Sequence, residues 1–168
     1  MNLYNIPTHK NSPEYVNAVI EIPKGTNAKY EYDTELEMFV MDRCLISAMS
    51  YPANYGFIPK THAEDGDPLD IIIFNNIPID RGVLVRCKVV GALDMIDGGE
   101  KDYKIIGIPE YHSKCNVYNC YKDLDPLFLK VAANFFKHYK DLNGKAVTIN
   151  SWLGASQARD IVKNSTIN

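Results

Sequence analysis

The apolar spacing of this chain changes once, and that change limits its fold more than any other feature. Over the first two thirds the spacing is that of strands. Val16, Ala18, Ile20 and Ile22 alternate with Asn17, Val19 and Glu21 in a mostly period-two pattern. Lys29-Tyr30-Glu31-Tyr32 and Met38-Phe39-Val40-Met41 are short strand candidates. Val83–Val90 is the clearest strand, with Arg86 and Lys88 on one face. Asp97-Gly98-Gly99-Glu100 reads as a turn joining Val89–Met95 to Tyr103–Ile108 as a hairpin. Many short strands at this spacing favour a barrel or a sandwich. In the last third, Asp125-Pro126 reads as an N-cap followed by proline at the first helical position. Leu129, Ala132 or Ala133, Phe136 and Tyr139 then fall at helical spacing, up to a stop at Asn143-Gly144. Lys145–Asn150 is one more strand candidate. Gly154-Ala155-Ser156-Gln157 opens a second helix with Ala158, Ile161 and Val162 on one side. With no repeat, low-complexity tract or linker, the 168 residues are expected to form one domain, residues 1–168.

A net charge of −3 gives the chain no general attraction to nucleic acid or to an anionic membrane surface. No run approaches the ~20 apolar residues of a membrane span. The start, Met1-Asn2-Leu3-Tyr4-Asn5-Ile6-Pro7, lacks a basic head followed by an apolar stretch. A cytoplasmic location is therefore expected, with Cys44, Cys87, Cys115 and Cys120 as free thiols. His112, Cys115 and Cys120 suggest zinc, but their spacing lacks a nearby fourth ligand.

Chemistry concentrates in Asp65-Gly66-Asp67-Pro68-Leu69-Asp70. Gly66 lets the backbone bend and Pro68 fixes φ. Ile71-Ile72-Ile73-Phe74 follows as a buried strand. A stiff turn thus presents three carboxylates at the mouth of a rigid element. Crowded carboxylates repel one another, and a hard cation such as Mg²⁺ removes that repulsion. Asp, Gly and Pro are also ordinary turn formers, so an idle turn is the competing reading. A calcium loop of the helix–loop–helix type fails on spacing. Counted from Asp65, its required Gly and Glu positions hold Asp70 and Asn76.

Other charged residues pair at strand spacing. Asp102 and Lys104 share one face of a strand and can point together into a pocket, one to a metal and one to an anion; Lys29 and Glu31 repeat the arrangement. Asp94, Asp97 and Glu100 lie in the same hairpin, where a solvated turn is the plain alternative. Eleven tyrosines is high for this length, and the segment Tyr51–Pro59 is dense in them. It reads either as a rigid aromatic loop or as a source of a phenol for a phosphate oxygen. Tyr139 and Lys140, at the end of the long helix, can approach from another side. His62, beside the signature, reads as a loop histidine rather than a ligand.

These residues resemble the soluble family I inorganic pyrophosphatases in their compact bacterial form. The resemblance rests on Asp65–Asp70 together with Lys29-Tyr30-Glu31, Asp42-Arg43, Tyr51–Pro59, Asp97 through Asp102 to Lys104, and Phe135–Lys140, in the family's order. It implies a mainly β fold, a closed five-stranded barrel of OB type flanked by two α-helices. It implies Mg²⁺-dependent hydrolysis of pyrophosphate to two phosphates, with several Mg²⁺ per site, and a homo-oligomer, a homohexamer in the bacterial form. Asp65, Asp70 and Asp102 match the ligands of a tightly held metal, and Asp70 also matches the bridge to a second. Asp97, Asp102 and Glu31 match positions serving metals that arrive with substrate. Asp67 matches the general base. Lys29, Arg43, Tyr55, Lys104, Tyr139 and Lys140 match the phosphate-holding groups. One departure stands out: the family usually has a second acidic residue directly after the position of Asp97, and here it is Gly98.

A charge count supports the same expectation. Glu31, Asp65, Asp67, Asp70, Asp97 and Asp102 against Lys29, Arg43, Lys104 and Lys140 leave the bare site at −2. Pyrophosphate adds roughly three to four negatives near neutral pH. About two to three Mg²⁺ neutralise the sum, so substrate is expected to bind only with metal. The metal would also make water a nucleophile at neutral pH, with Asp67 taking its proton. An OB-type nucleic-acid module is disfavoured, because six carboxylates in its groove would repel a polyanion. A metal-dependent nuclease or nucleotide hydrolase is the other competitor.

Overall fold

In the computed structural model, which describes residues 1–167, there are eight strands and two helices; Asn54–Phe57, inside the segment read as a rigid aromatic loop, is a strand, and the other elements follow the order expected from the change of period. The strands are β1 (Tyr15–Ile22), β2 (Ala28–Asp33), β3 (Met38–Cys44), β4 (Asn54–Phe57), β5 (Asp70–Ile73), β6 (Leu84–Asp97), β7 (Glu100–Pro109) and β8 (Val147–Leu153). The helices are α1 (Pro126–His138) and α2 (Ala155–Ser165). Five strands run β1-β4-β5-β7-β6, and β6 pairs back onto β1, so the expected five-stranded ring is closed. Its pairings are antiparallel except β5 with β7, which is parallel. β8 pairs with β6 outside the ring, and β2 and β3 form a separate hairpin.

The isoleucine run of β5 shows why a short strand there is apolar on both faces. Ile71 and Ile73 pack into one cluster with β1, β6, β7 and with Ala158 and Val162 of α2. Ile72 enters a second cluster with Phe135, Phe136 and Tyr139 from α1 and its end. Each such isoleucine, fully buried, contributes about 1.5–3 kcal/mol. β1 and β4 approach so closely that a Cβ on Gly56 would stand 1.9 Å from the Val19 carbonyl oxygen; only glycine fits there.

α1 starts as read: the Asp125 side chain accepts from the Leu127 N–H and Pro126 occupies the first position. It ends earlier than expected, at His138. A separate 3-10 turn, Asp141–Asn143, then closes on Gly144 at φ +70°. Phe135 joins the buried stripe as well. The pairing of β6 with β7 extends to Asp97 opposite Glu100, with Gly98 and Gly99 making the two-residue turn. Arg86 and Lys88 stand on one face of β6, as read, but in different surroundings. Arg86 is exposed, whereas Lys88 is buried under the segment after β7, donating to Asn119 Oδ1 at 2.7 Å and to the Cys115 carbonyl. Among the described residues, no helix is long and apolar enough to cross a membrane.

Candidate active site

The signature is a turn whose backbone is satisfied from within and behind. Ala63 N–H donates to the Asp67 carbonyl at 2.7 Å, Gly66 N–H to the Ala63 carbonyl, and Asp67 N–H to Asp65 Oδ1 at 3.0 Å. Gly66 takes φ +93°, a conformation that L side chains rarely adopt. Behind the turn, buried Thr61 accepts from Leu69 N–H and donates to the Ile58 carbonyl, tying the segment to β4. Among the described residues the Asp67 carboxylate accepts no hydrogen bond, so its oxygens face the cavity uncommitted. Burial, then the neighbouring Asp65 and Asp70 carboxylates, hold its pKa above the usual aspartate range.

The parallel pairing of β5 with β7 sets Asp70 directly opposite Lys104. Lys104 Nζ lies 2.5 Å from Asp70 Oδ2 and 2.7 and 2.8 Å from the two Asp102 oxygens. Asp102 and Lys104, two residues apart, share one face, as the strand period requires. Lys104 is 3% exposed. Burial alone would lower its pKa, but Asp70 and Asp102 outweigh that and hold it above the ordinary lysine range. The ammonium is therefore fixed as a cation between two carboxylates.

Two further walls close the cavity. From the end of α1, Lys140 pairs with Asp97 Oδ2, and Tyr139 OH reaches the same oxygen at 3.4 Å. From the β2–β3 hairpin, Lys29 pairs with Glu31 and lies 3.5 Å from Asp42. The cavity is about 290 Å³ and brings together eleven of the twelve expected residues: Lys29, Glu31, Tyr55, Asp65, Asp67, Asp70, Asp97, Asp102, Lys104, Tyr139 and Lys140. Arg43 does not line it. It sits on β3 opposite Lys29, with Nε 4.0 Å from Asp42. Glu100, the acidic residue two positions after Gly98 in the hairpin, does not line it either.

Sequence reasoning missed Glu21 and Tyr51 as wall residues. Glu21 is the penultimate residue of β1, between Ile20 and Ile22, where it follows the strand's alternation. It is buried, it accepts the Tyr32 N–H at 3.0 Å, and burial followed by Asp70 pushes its pKa up to about 8. Burial also raises the phenols of Tyr55, Tyr51 and Tyr139, which stay protonated donors at neutral pH. With Glu21 neutral and Arg43 outside, six carboxylates face three lysines in the cavity.

This donor set suits a hard cation. The cavity's metal-capable side chains are all carboxylates, with no histidine or cysteine. Among the described residues no three of them converge on one point as they stand. Lys104 Nζ holds the position between Asp70 and Asp102.

Comparison with known proteins gives matches over nearly the full chain. The family model described as inorganic pyrophosphatase matches residues 18–168. The inorganic pyrophosphatase of Rhodospirillum rubrum is 43% identical over 169 residues, covering 97% of this chain and 93% of the relative. That of Caulobacter vibrioides is 40% identical over 169 residues, covering 98% and 96%. The crystal structure of inorganic pyrophosphatase from Thermus thermophilus superposes with a TM-score of 0.94 at 38% identity, covering 98% of this chain and 97% of that one. The Helicobacter pylori inorganic pyrophosphatase gives a TM-score of 0.90 at 32% identity, covering 96% of each chain.

Proposed function

We propose that this chain, which belongs to the inorganic pyrophosphatase family, hydrolyses pyrophosphate to two phosphates with Mg²⁺ as its cofactor. The observation that carries the reading is one cavity of about 290 Å³ with a carboxylate wall on β5, β7 and the signature turn, facing lysines from the β2–β3 hairpin and the end of α1. A small, doubly ended anion fits between such walls.

Asp65, Asp70 and Asp102 would hold a first Mg²⁺, with Asp70 shared by a second; Asp97, Asp102 and Glu31 would serve ions that come with substrate. When bound, Mg²⁺ lowers the pKa of water and neutralises phosphate charge. Asp67 is the proton acceptor. Its carboxylate has no hydrogen-bond partner among the described residues, which leaves it free to take a proton from water in the cavity. Water oxygen bonds to one phosphorus, the bridging oxygen leaves with the other, and the proton goes to Asp67. Lys29, Lys104 and Lys140 stabilise charge on the phosphate oxygens, Arg43 adds a cation from its place opposite Lys29 on β3, and the Tyr55 and Tyr139 phenols donate hydrogen bonds.

We further propose that residues 1–168 act as one catalytic unit, in the cytoplasm, as a homo-oligomer of hexameric size, without nucleic-acid or membrane partners. The assembly is what the family resemblance implies, and light scattering tests it. Phosphate release from pyrophosphate, ATP and single-stranded DNA, each with and without Mg²⁺, tests the activity. Release confined to pyrophosphate with Mg²⁺ is expected. Equal release from ATP would move the reading to a general nucleotide hydrolase.

A further inference from the structure

The cavity is built from two sheets that share no strand pairing. Asp70, Asp102 and Lys104 stand on the ring, whereas Lys29 and Glu31 stand on the β2–β3 hairpin. Something must fix the distance between them. Arg81, in the segment between β5 and β6, spans the gap. Its Nε–H donates to the Glu21 carbonyl of β1 at 2.8 Å. The face of the same guanidinium lies on the Tyr30 ring, with Cζ 3.3 Å from the centroid. Tyr30 is the residue between Lys29 and Glu31.

The base from which Arg81 reaches is itself anchored. Fully buried Asn54 accepts from Ile79 N–H and from Lys24 N–H, and donates to the Ile77 carbonyl. Just after Arg81, Gly82 N–H donates to the Ile20 carbonyl at 2.9 Å. Arg81 makes no ion pair with any described residue and does not line the cavity. Its contacts are a carbonyl and an aromatic face, so its shape matters beyond its charge. A planar guanidinium can donate in its plane and stack through its face at once, which an ammonium cannot.

We propose that Arg81 is a positioning residue for substrate binding: it clamps Tyr30 against the end of β1 and so sets the hairpin's Lys29 at the distance the anion requires. This rests on the reading of the cavity as a pyrophosphate site. Steady-state kinetics of Arg81→Ala and Arg81→Lys, at saturating Mg²⁺ and alongside melting temperatures, test it. Both variants are expected to raise KM about fivefold, the size of a partly desolvated cation–π contact. Their kcat should stay within about twofold of wild type, because the groups at the reacting bond are untouched. Tyr30→Leu should raise KM similarly and add nothing to Arg81→Ala in a double-mutant cycle. If Arg81→Lys keeps wild-type KM, long-range charge is sufficient and the clamp is wrong. A fall in melting temperature with KM unchanged, or additive effects in the cycle, overturns it as well. Where Arg81→Ala is insoluble, Arg81→Lys and Tyr30→Leu decide. Wild type that releases no phosphate from pyrophosphate refutes the site reading itself, separately from the role of Arg81.

Discussion

Replacing Glu21 with Gln is expected to change how stability depends on pH. Glu21 is buried at the end of β1, and its pKa rises from 4.5 to about 8 in the folded chain. The unfolded chain ionises near 4.5, so between 4.5 and 8 the folded state binds more protons than the unfolded one. Stability must therefore fall as pH rises through that window. Linkage puts the cost of Glu21 at about 3 kcal/mol at pH 7 and about 5 kcal/mol above pH 9, at 1.36 kcal/mol per pKa unit. Gln has nearly the same shape, accepts the Tyr32 N–H through its carbonyl oxygen, and never ionises. Urea unfolding of both proteins at pH 5, 7 and 9, with a chelator present, measures the difference. The two should be of similar stability at pH 5. The variant should gain on the wild type by several kcal/mol by pH 9. Parallel pH profiles would show that Glu21 is solvated or paired, and would refute the argument from burial.

Asp67→Asn is expected to lower kcat by about 10²–10⁴-fold with KM changed little, since a general base acts in the transition state; near-normal turnover would remove Asp67 from that role. Lys104→Met leaves Asp70 and Asp102 facing each other with side chains 27% and 17% exposed. It should cost about 2–4 kcal/mol of stability without metal, read as a lower urea midpoint, and less in Mg²⁺. Gly56→Ala places a methyl against the Val19 carbonyl and should cost stability in thermal melts, with β1 and β4 forced apart. Asp125→Ala removes the α1 cap and should cost about 1 kcal/mol in urea.

Periodicity revealed the class of fold because a strand's two faces and a helix's stripe are local properties. Ile71–Phe74 read as buried from its composition, and Asp125-Pro126 as a helix start from its chemistry. The end of α1 is not legible because apolar spacing runs on through Tyr139, while the helix gives way to a 3-10 turn at Asp141–Asn143. Lys88 shares a face with Arg86 by the strand period, which does not tell whether that face is covered. Its burial depends on Cys115 and Asn119, residues 27 and 31 positions away, which no local pattern brings over it. Glu21 is hidden for the opposite reason: it fits the strand's alternation, so nothing in the local pattern sets its charge apart.

The site's central contact was half legible. That Asp102 and Lys104 point the same way follows from the period of a strand, and the structure keeps it. That Asp70, 34 residues away, faces them depends on β5 and β7 running parallel with Asp70 opposite Lys104. A parallel pair needs a long crossover, here all of β6 and its turn, and residue spacing alone does not fix that register. Family blocks supplied what spacing could not: they brought distant carboxylates and lysines into one set. Arg43 shows what that transfer leaves to the fold. It occupies a matching position on β3, opposite Lys29 and beside Asp42, and does not itself line the cavity. A motif fixes which residue is present; the distance between the hairpin and the ring determines what that residue can touch.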